Sequence, residues 1–172
     1  IGCGEGVLVH KWAQRLGEDR RVVGIDLDEE SIQAGWEERQ AANLEYRVMH
    51  AENLPFADDE FDLVYSSSVI EHVQPARRDA FASEVRRVGR GWFVQTPALS
   101  FPIEPHALLP FAHWLPTALR RPYWRLGAAG DWEDISLLSR REMEALFGSA
   151  LPERIGPLVK SWVCVRAPLS PR

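Results

Sequence analysis

Apolar residues recur at helical spacing over 7–16, at Val7, Leu8, Trp12 and Leu16, and Gly17 is placed to end that helix. A short apolar run over 21–26 follows and closes on the carboxylate of Asp26. Asp28 can cap a second helix over 29–42, with Asn43 as its stop. Further strands are predicted over 44–49, 61–66 and 91–96, the last ended by Pro97, and an amphipathic helix over 76–88 joins the final pair. Strands and helices alternate at the spacing of parallel crossovers. The expected fold is therefore α/β, a Rossmann-like doubly wound sheet.

The alternation lapses over 98–134, a stretch rich in Pro and aromatics without a strand pattern. It resumes with a helix over 139–147, which Ser139 can cap with Glu142 at the capping-box position, and a last strand over 159–167. The middle stretch is too short for a core of its own, so it reads as an insertion within one domain spanning 1–172. The chain opens on Ile1-Gly2-Cys3-Gly4-Glu5-Gly6, a tight glycine turn with no strand before it. Such turns normally follow a buried strand, so an N-terminally truncated piece of a longer chain is expected.

Composition narrows the class. The 172 residues are 45% apolar and 26% charged, which suits an ordinary globular domain. With 20 basic against 25 acidic residues the net charge is −5, and nothing in that balance favours a nucleic-acid backbone as partner. Cys3 and Cys164 cannot by themselves make a disulfide framework or a four-ligand zinc site, which points to a reducing, cytoplasmic setting. No apolar run approaches the roughly 20 residues a membrane span needs.

Two features carry cofactor chemistry. Gly2, Gly4 and Gly6 open a helix, where a close backbone approach and first-turn N–H groups favour an anion. A dinucleotide fingerprint would need glycine at position 7, which is Val7, and a P-loop would need a lysine. Asp26 ends the next strand, so it faces the same crevice at the carboxyl edge of the sheet and can accept both hydroxyls of a ribose. Together the two features indicate a nucleoside-containing cofactor.

Ile-Gly-Cys-Gly-x-Gly, Val-Gly-Ile-Asp, Ala-Glu-Asn-Leu-Pro-Phe and Phe-Asp-Leu-Val-Tyr-Ser-Ser-Ser-Val-Ile-Glu-His-Val occur in this order between Ile1 and about Thr96. In this the chain resembles the class I S-adenosylmethionine-dependent methyltransferases, in the type 11 branch that includes ubiquinone- and menaquinone-pathway enzymes. The resemblance implies a seven-stranded sheet, here without its first strand, whose last strand runs antiparallel. It implies S-adenosyl-L-methionine as cofactor, with Gly2, Cys3, Gly4 and Gly6 along its methionine portion and Asp26 on the ribose. Leu27 would lie against the adenine, with His50 and the Ala51 N–H at the adenine edge and Ser66 and Ser67 on the methyl side. The family favours Asp where this sequence has His50, whose neutral imidazole still accepts a hydrogen bond. Glu52 reads as a solvated side chain, with a stand-in for that Asp as the alternative. The acidic residue the family usually carries before Ile1 lies outside the sequence.

Methyl transfer from a sulfonium is mainly a matter of alignment, with a general base added where the acceptor must lose a proton. His72, His106 and Glu104 are the residues for that duty. His72 follows the fourth family strand, while Glu104 and His106 sit in a segment stiffened by Pro102 and Pro105. A packing or hydrogen-bonding role is open for each. The insertion, with Phe111, Trp114 and Trp124 followed or interleaved by Arg120, Arg121 and Arg125, reads as a lid over a small-molecule or lipid-like acceptor, and it is compatible with peripheral membrane contact. Two alternatives stand beside the methyltransferase reading: an inactive methyltransferase-like binding or regulatory domain, and a nicotinamide-dependent oxidoreductase. No metal is implied by any of these motifs.

Overall fold

The computed structural model describes residues 1–128 and 135–168. Helix α1 (Val7–Leu16) lies between the glycine turn and strand β1 (Val22–Asp26), as the apolar spacing predicts. Asp28 caps α2 (Glu29–Glu38) by accepting from Ser31 N and Oγ. Helix α2 stops four residues short of the expected end, and Asn43 is not its stop. Its Nδ2 instead donates to Ala13 O, Gly17 O and Arg20 O, tying off the end of α1. A side chain read as a local helix breaker is thus a long-range cap.

Strand β2 (Leu44–Val48) runs parallel to β1, from Val22 opposite Leu44 to Asp26 opposite Val48. Strand β3 (Val64–Ser67) begins later than expected, because Phe61 makes only an isolated bridge to Gly89. A 3₁₀ turn, Pro75–Arg77, leads into α3 (Arg78–Val88), and β4 (Trp92–Pro97) pairs parallel with β3. In the insertion, β5 (Ile103–Glu104) and β6 (Leu109–Pro110) form a short hairpin, followed by a 3₁₀ turn (Ala112–Trp114) and α4 (Thr117–Trp124). Helix α5 (Arg140–Phe147) carries the anticipated capping box. Strand β7 (Leu151–Ile155) pairs with β8 (Leu158–Arg166), and β8 runs antiparallel to β4.

The strands fall into the orders β2-β1 and β3-β4-β8-β7. The opening residues bridge these groups: Gly2 N and Cys3 N donate to Ile25 O at 2.8 and 3.0 Å, and Ile1 N donates to Tyr65 O at 2.7 Å. A cavity of about 610 Å³ lies between β1 and β3, lined among others by Trp12, Val22, Val23, Val64 and Tyr65. The core is built where α3 and α5 pack on the sheet: Phe81, Ala82, Val85, Val94, Met143 and Cys164 are all fully buried. Cutting Phe81 back to Ala would cost about 3–5 kcal/mol on core-deletion precedent.

Part of the insertion is buried in a small second cluster that it shares with the chain after it. Ala107, Leu109, Ala112 and Trp124 are buried together with Ile135 and Leu137. Proximity in sequence concealed this, since the cluster is completed only where the chain returns at 135–138. The return is pinned by Leu99 N to Leu138 O at 3.0 Å, by Ser136 N to Glu71 O at 3.0 Å, and by the Arg78 guanidinium donating to Ser136 O. The last part of the expected insertion, 129–134, lies outside the described residues. No described helix is long and apolar enough to cross a membrane.

Candidate functional site

The glycine turn adopts a backbone that side chains would obstruct. Gly2 and Gly6 have φ of 70° and 81°, and a Cβ would fall 2.1 Å from Val69 Cγ2 at the first and 2.2 Å from the Tyr46 hydroxyl at the second. Gly6 is the N-cap of α1; it supplies no side-chain cap, and the first turn holds no acidic residue. The first-turn N–H groups and the helix dipole therefore keep their preference for an anion.

Asp26 organises this turn. Its Oδ2 accepts from Gly4 N at 2.7 Å, and its Oδ1 accepts from Leu27 N at 2.7 Å and Asp28 N at 3.1 Å. A carboxylate offers about four acceptor directions, so a hydroxyl can still reach it.

A crevice of about 540 Å³ opens along the carboxyl ends of the strands. Of the residues singled out in sequence, Gly2, Gly4, Asp26, Leu27, His50, Ala51 and His72 line it. Cys3 lines the cavity between β1 and β3 instead, where burial pushes its thiol up to about 11. Gly6 is buried behind the turn, so its part is to shape the backbone. Ser66 and Ser67 do not reach the crevice: Ser66 is fully buried, and Ser67 Oγ donates to Gln95 Oε1 at 2.7 Å. Strand β3 runs one residue further than expected, so the chain arrives at the crevice at Ser68, with φ of 55°, and Val69.

Glu52 is a second correction. Its side chain is only 16% exposed and lies in the crevice, 3.8 Å from His50 Nδ1 and 3.9 Å from an Arg77 guanidinium nitrogen. The 3₁₀ turn that brings Arg77 over the crevice left no signature from which this pairing could be read.

Beside the crevice the insertion meets the end of β3. His106 packs edge-on against His72, with ring centroids 5.1 Å apart, and His106 Nδ1 lies 2.7 Å from Glu104 Oε1. Glu104 Oε2 accepts from Ala107 N at 2.5 Å. Burial acts to raise the Glu104 carboxyl, but these bonds outweigh it and hold the group below the usual carboxylate range. Glu104 and His106 are not crevice-lining; they reach it through His72. Glu71 joins them unannounced by the sequence. It is 1% exposed, one carboxylate oxygen accepts the Thr96 hydroxyl at 2.9 Å, and burial pushes its carboxyl up.

The arrangement is a nucleoside-sized crevice with a glycine turn at one end and a His/Glu cluster beside the other. A family profile described as a methyltransferase domain matches residues 1–93. The chain belongs to the class I S-adenosylmethionine-dependent methyltransferases. This methyltransferase domain is 35% identical over 126 residues to the ubiquinone biosynthesis O-methyltransferase of Sinorhizobium fredii (strain NBRC 101917 / NGR234), a match covering 67% of this chain and 48% of that protein. It is 33% identical over 142 residues to the aklanonic acid methyltransferase DauC of Streptomyces sp. (strain C5), covering 72% and 64%. The methyltransferase chain thus spans about half the length of the first of these relatives. In fold it is similar to the PH0226 protein of Pyrococcus horikoshii OT3, with a TM-score of 0.69 at 22% identity, covering 98% of this chain and 79% of that one. A SAM-dependent methyltransferase from Methanosarcina mazei gives 0.62 at 20% identity, covering 96% and 88%.

Proposed function

We propose that the chain binds S-adenosyl-L-methionine in this crevice and transfers its methyl group to a small-molecule acceptor of quinone-like, polyketide-like or lipid-like character. The observation that carries the reading is the convergence of Gly2, Gly4, Asp26, Leu27 and Ala51 on one cavity at the strand ends. The methionine tail lies along Gly2 and Gly4, facing the uncapped first turn of α1, where its carboxylate meets favourable dipoles. Asp26 takes a ribose hydroxyl while holding the turn. Leu27, 56% exposed and apolar, covers one face of the adenine, with the Ala51 N–H and the His50–Glu52 pair at its edge.

The acceptor side is assigned to His72, with His106 and Glu104 behind it. Glu104 fixes the imidazole of His106, and the pair of rings presents nitrogen atoms at the boundary between crevice and insertion. The exposed apolar side chains of the insertion, Leu108, Phe111, Trp114 and Leu119, suit an acceptor with a hydrophobic body. The free thiols Cys3 and Cys164 agree with a cytoplasmic enzyme. The names of the two curated relatives support an acceptor of this chemical kind.

The test is transfer of labelled methyl from S-adenosyl-L-methionine to a panel of hydroxylated quinone precursors and aromatic polyketide acids. Label in an extracted product, lost when S-adenosylhomocysteine is added in excess, is the expected result. Cofactor binding with no label in any acceptor would overturn transfer and favour a binding or regulatory domain.

A further inference from the structure

The cluster at the end of β3 holds more than an acid–base pair. Glu71, His72 and His106 each place one ligand atom, a carboxylate oxygen or an imidazole nitrogen, within 4.8 Å of the other two. Two imidazoles and one carboxylate are a donor set for a first-row divalent ion and a poor one for Mg²⁺, which prefers oxygen alone. Tetrahedral sites with bonds of about 2.0–2.1 Å space their ligands about 3.3 Å apart, so binding needs these atoms to close by at most about 1.5 Å. His72 is exposed, and its ring already lies against that of His106, so the two imidazoles start as neighbours.

The supporting shell is already in place. His106 Nδ1 is bonded to Glu104 Oε1 at 2.7 Å, which directs the lone pair of Nε2 away from Glu104. A carboxylate behind a ligating imidazole fixes its tautomer and raises its basicity. Glu71 has the corresponding support from Thr96 Oγ1 on one oxygen, at 2.9 Å. Its other oxygen is buried and has no hydrogen-bond partner among the described residues. A buried carboxylate oxygen left in that state is costly, and a cation satisfies it.

We propose that Glu71, His72 and His106 form a site for one divalent transition-metal ion beside the crevice, with Glu104 and Thr96 orienting the ligands. Three protein ligands leave an ion with open positions for oxygen donors. Because His72 lines the crevice, those positions face the acceptor side, and a hydroxyl or phenolic oxygen of the acceptor is the ligand of matching chemistry. That last assignment rests on the proposed methyl transfer; the ion site itself does not.

The chain is stripped with chelator and titrated with Co²⁺ in the absence of cofactor, by calorimetry and by visible absorption. One Co²⁺ per chain with a d–d spectrum of low coordination number is expected, displaced by Zn²⁺ and not by an equal concentration of Mg²⁺. His72→Ala and His106→Ala should each abolish that spectrum, and Glu104→Gln should weaken binding about ten- to a hundredfold. His10→Ala, in α1 and outside the cluster, should change nothing. Circular dichroism establishes that each variant is folded, and the exposed His72 gives a variant that leaves the core intact. No spectrum in the unaltered chain, or a spectrum indifferent to His72→Ala and His106→Ala, would overturn the site. Cofactor binding measured separately keeps the two ideas apart: a chain that binds cofactor but no ion loses this inference alone.

Discussion

Removing the Asp26 carboxylate strikes the crevice and the glycine turn together. In Asp26→Ala, Gly4 N, Leu27 N and Asp28 N lose an acceptor held at 2.7, 2.7 and 3.1 Å. Leu27 and Asp28 are exposed and can turn to water, so their loss is small; the Gly4 bond is half-buried. A hydrogen bond to a charged group is worth about 1.5–3 kcal/mol, and the lower value applies to a half-buried donor. For a chain of this size about 1.5 kcal/mol lowers the melting temperature by roughly 3–6 °C. The bound cofactor loses a second bond of the same class, the ribose hydroxyl, for another 1.5–3 kcal/mol or so, which is about a 10- to 150-fold rise in Kd. Calorimetry with S-adenosylhomocysteine well below the melting temperature reads the binding term free of the stability term. Asp26→Asn keeps one acceptor oxygen and should fall between the two. Unchanged affinity in Asp26→Ala, with the melting shift present, would refute the ribose assignment and leave Asp26 a purely structural residue.

Further outcomes follow from other parts of the molecule. Gly6→Ala forces a Cβ to within 2.2 Å of the Tyr46 hydroxyl at a φ of 81° and should destabilise by at least about 1–3 kcal/mol, read by thermal denaturation; a melt equal to that of the unaltered chain would contradict the turn geometry. Ser139→Ala removes the reciprocal cap in which Ser139 and Glu142 satisfy each other's backbone N–H, and should cost about 1 kcal/mol in urea unfolding with no change in cofactor affinity. Cys3 and Cys164 have thiols pushed by burial to about 11 and about 12, so a thiol reagent should label neither at pH 8 until the chain unfolds. The sign of the linked stability follows: unfolded thiols ionise near 9 and folded ones later, so the folded state loses stability as pH rises above about 9.

Where the chain's structure is local, the residues announced it. The Asp28 cap of α2 and the Ser139–Glu142 box depend on side chains within four positions of the backbone they serve, and Gly17 stands at the end of α1 where the apolar spacing stops. Asp26 was legible because a strand end in a parallel sheet is a place as well as a residue type. Several of the misreadings involve distant partners. Asn43 closes α1 from 23–30 residues away, and α2 ends at Arg39, whose carbonyl accepts from the Tyr46 hydroxyl. Strand β7 was invisible because every one of its residues is exposed and Pro152 interrupts it, so it shows neither alternation nor a buried run. Ser66 and Ser67 were placed one pleat too early, and a single-residue shift turned one into the core and the other onto Gln95. Glu71 and Glu52 acquire their surroundings only when the insertion and the Pro75–Arg77 turn fold over the strand ends.

The central claim is that the cofactor lies in the crevice between the glycine turn and Ala51. A crystal structure of the chain with S-adenosylhomocysteine measures it directly. The amino-acid tail should lie against Gly2 and Gly4, a ribose hydroxyl within hydrogen-bond distance of Asp26, and the adenine between Leu27 and Ala51. Density for the nucleoside in the cavity between β1 and β3, or anywhere out of reach of Asp26, would contradict it.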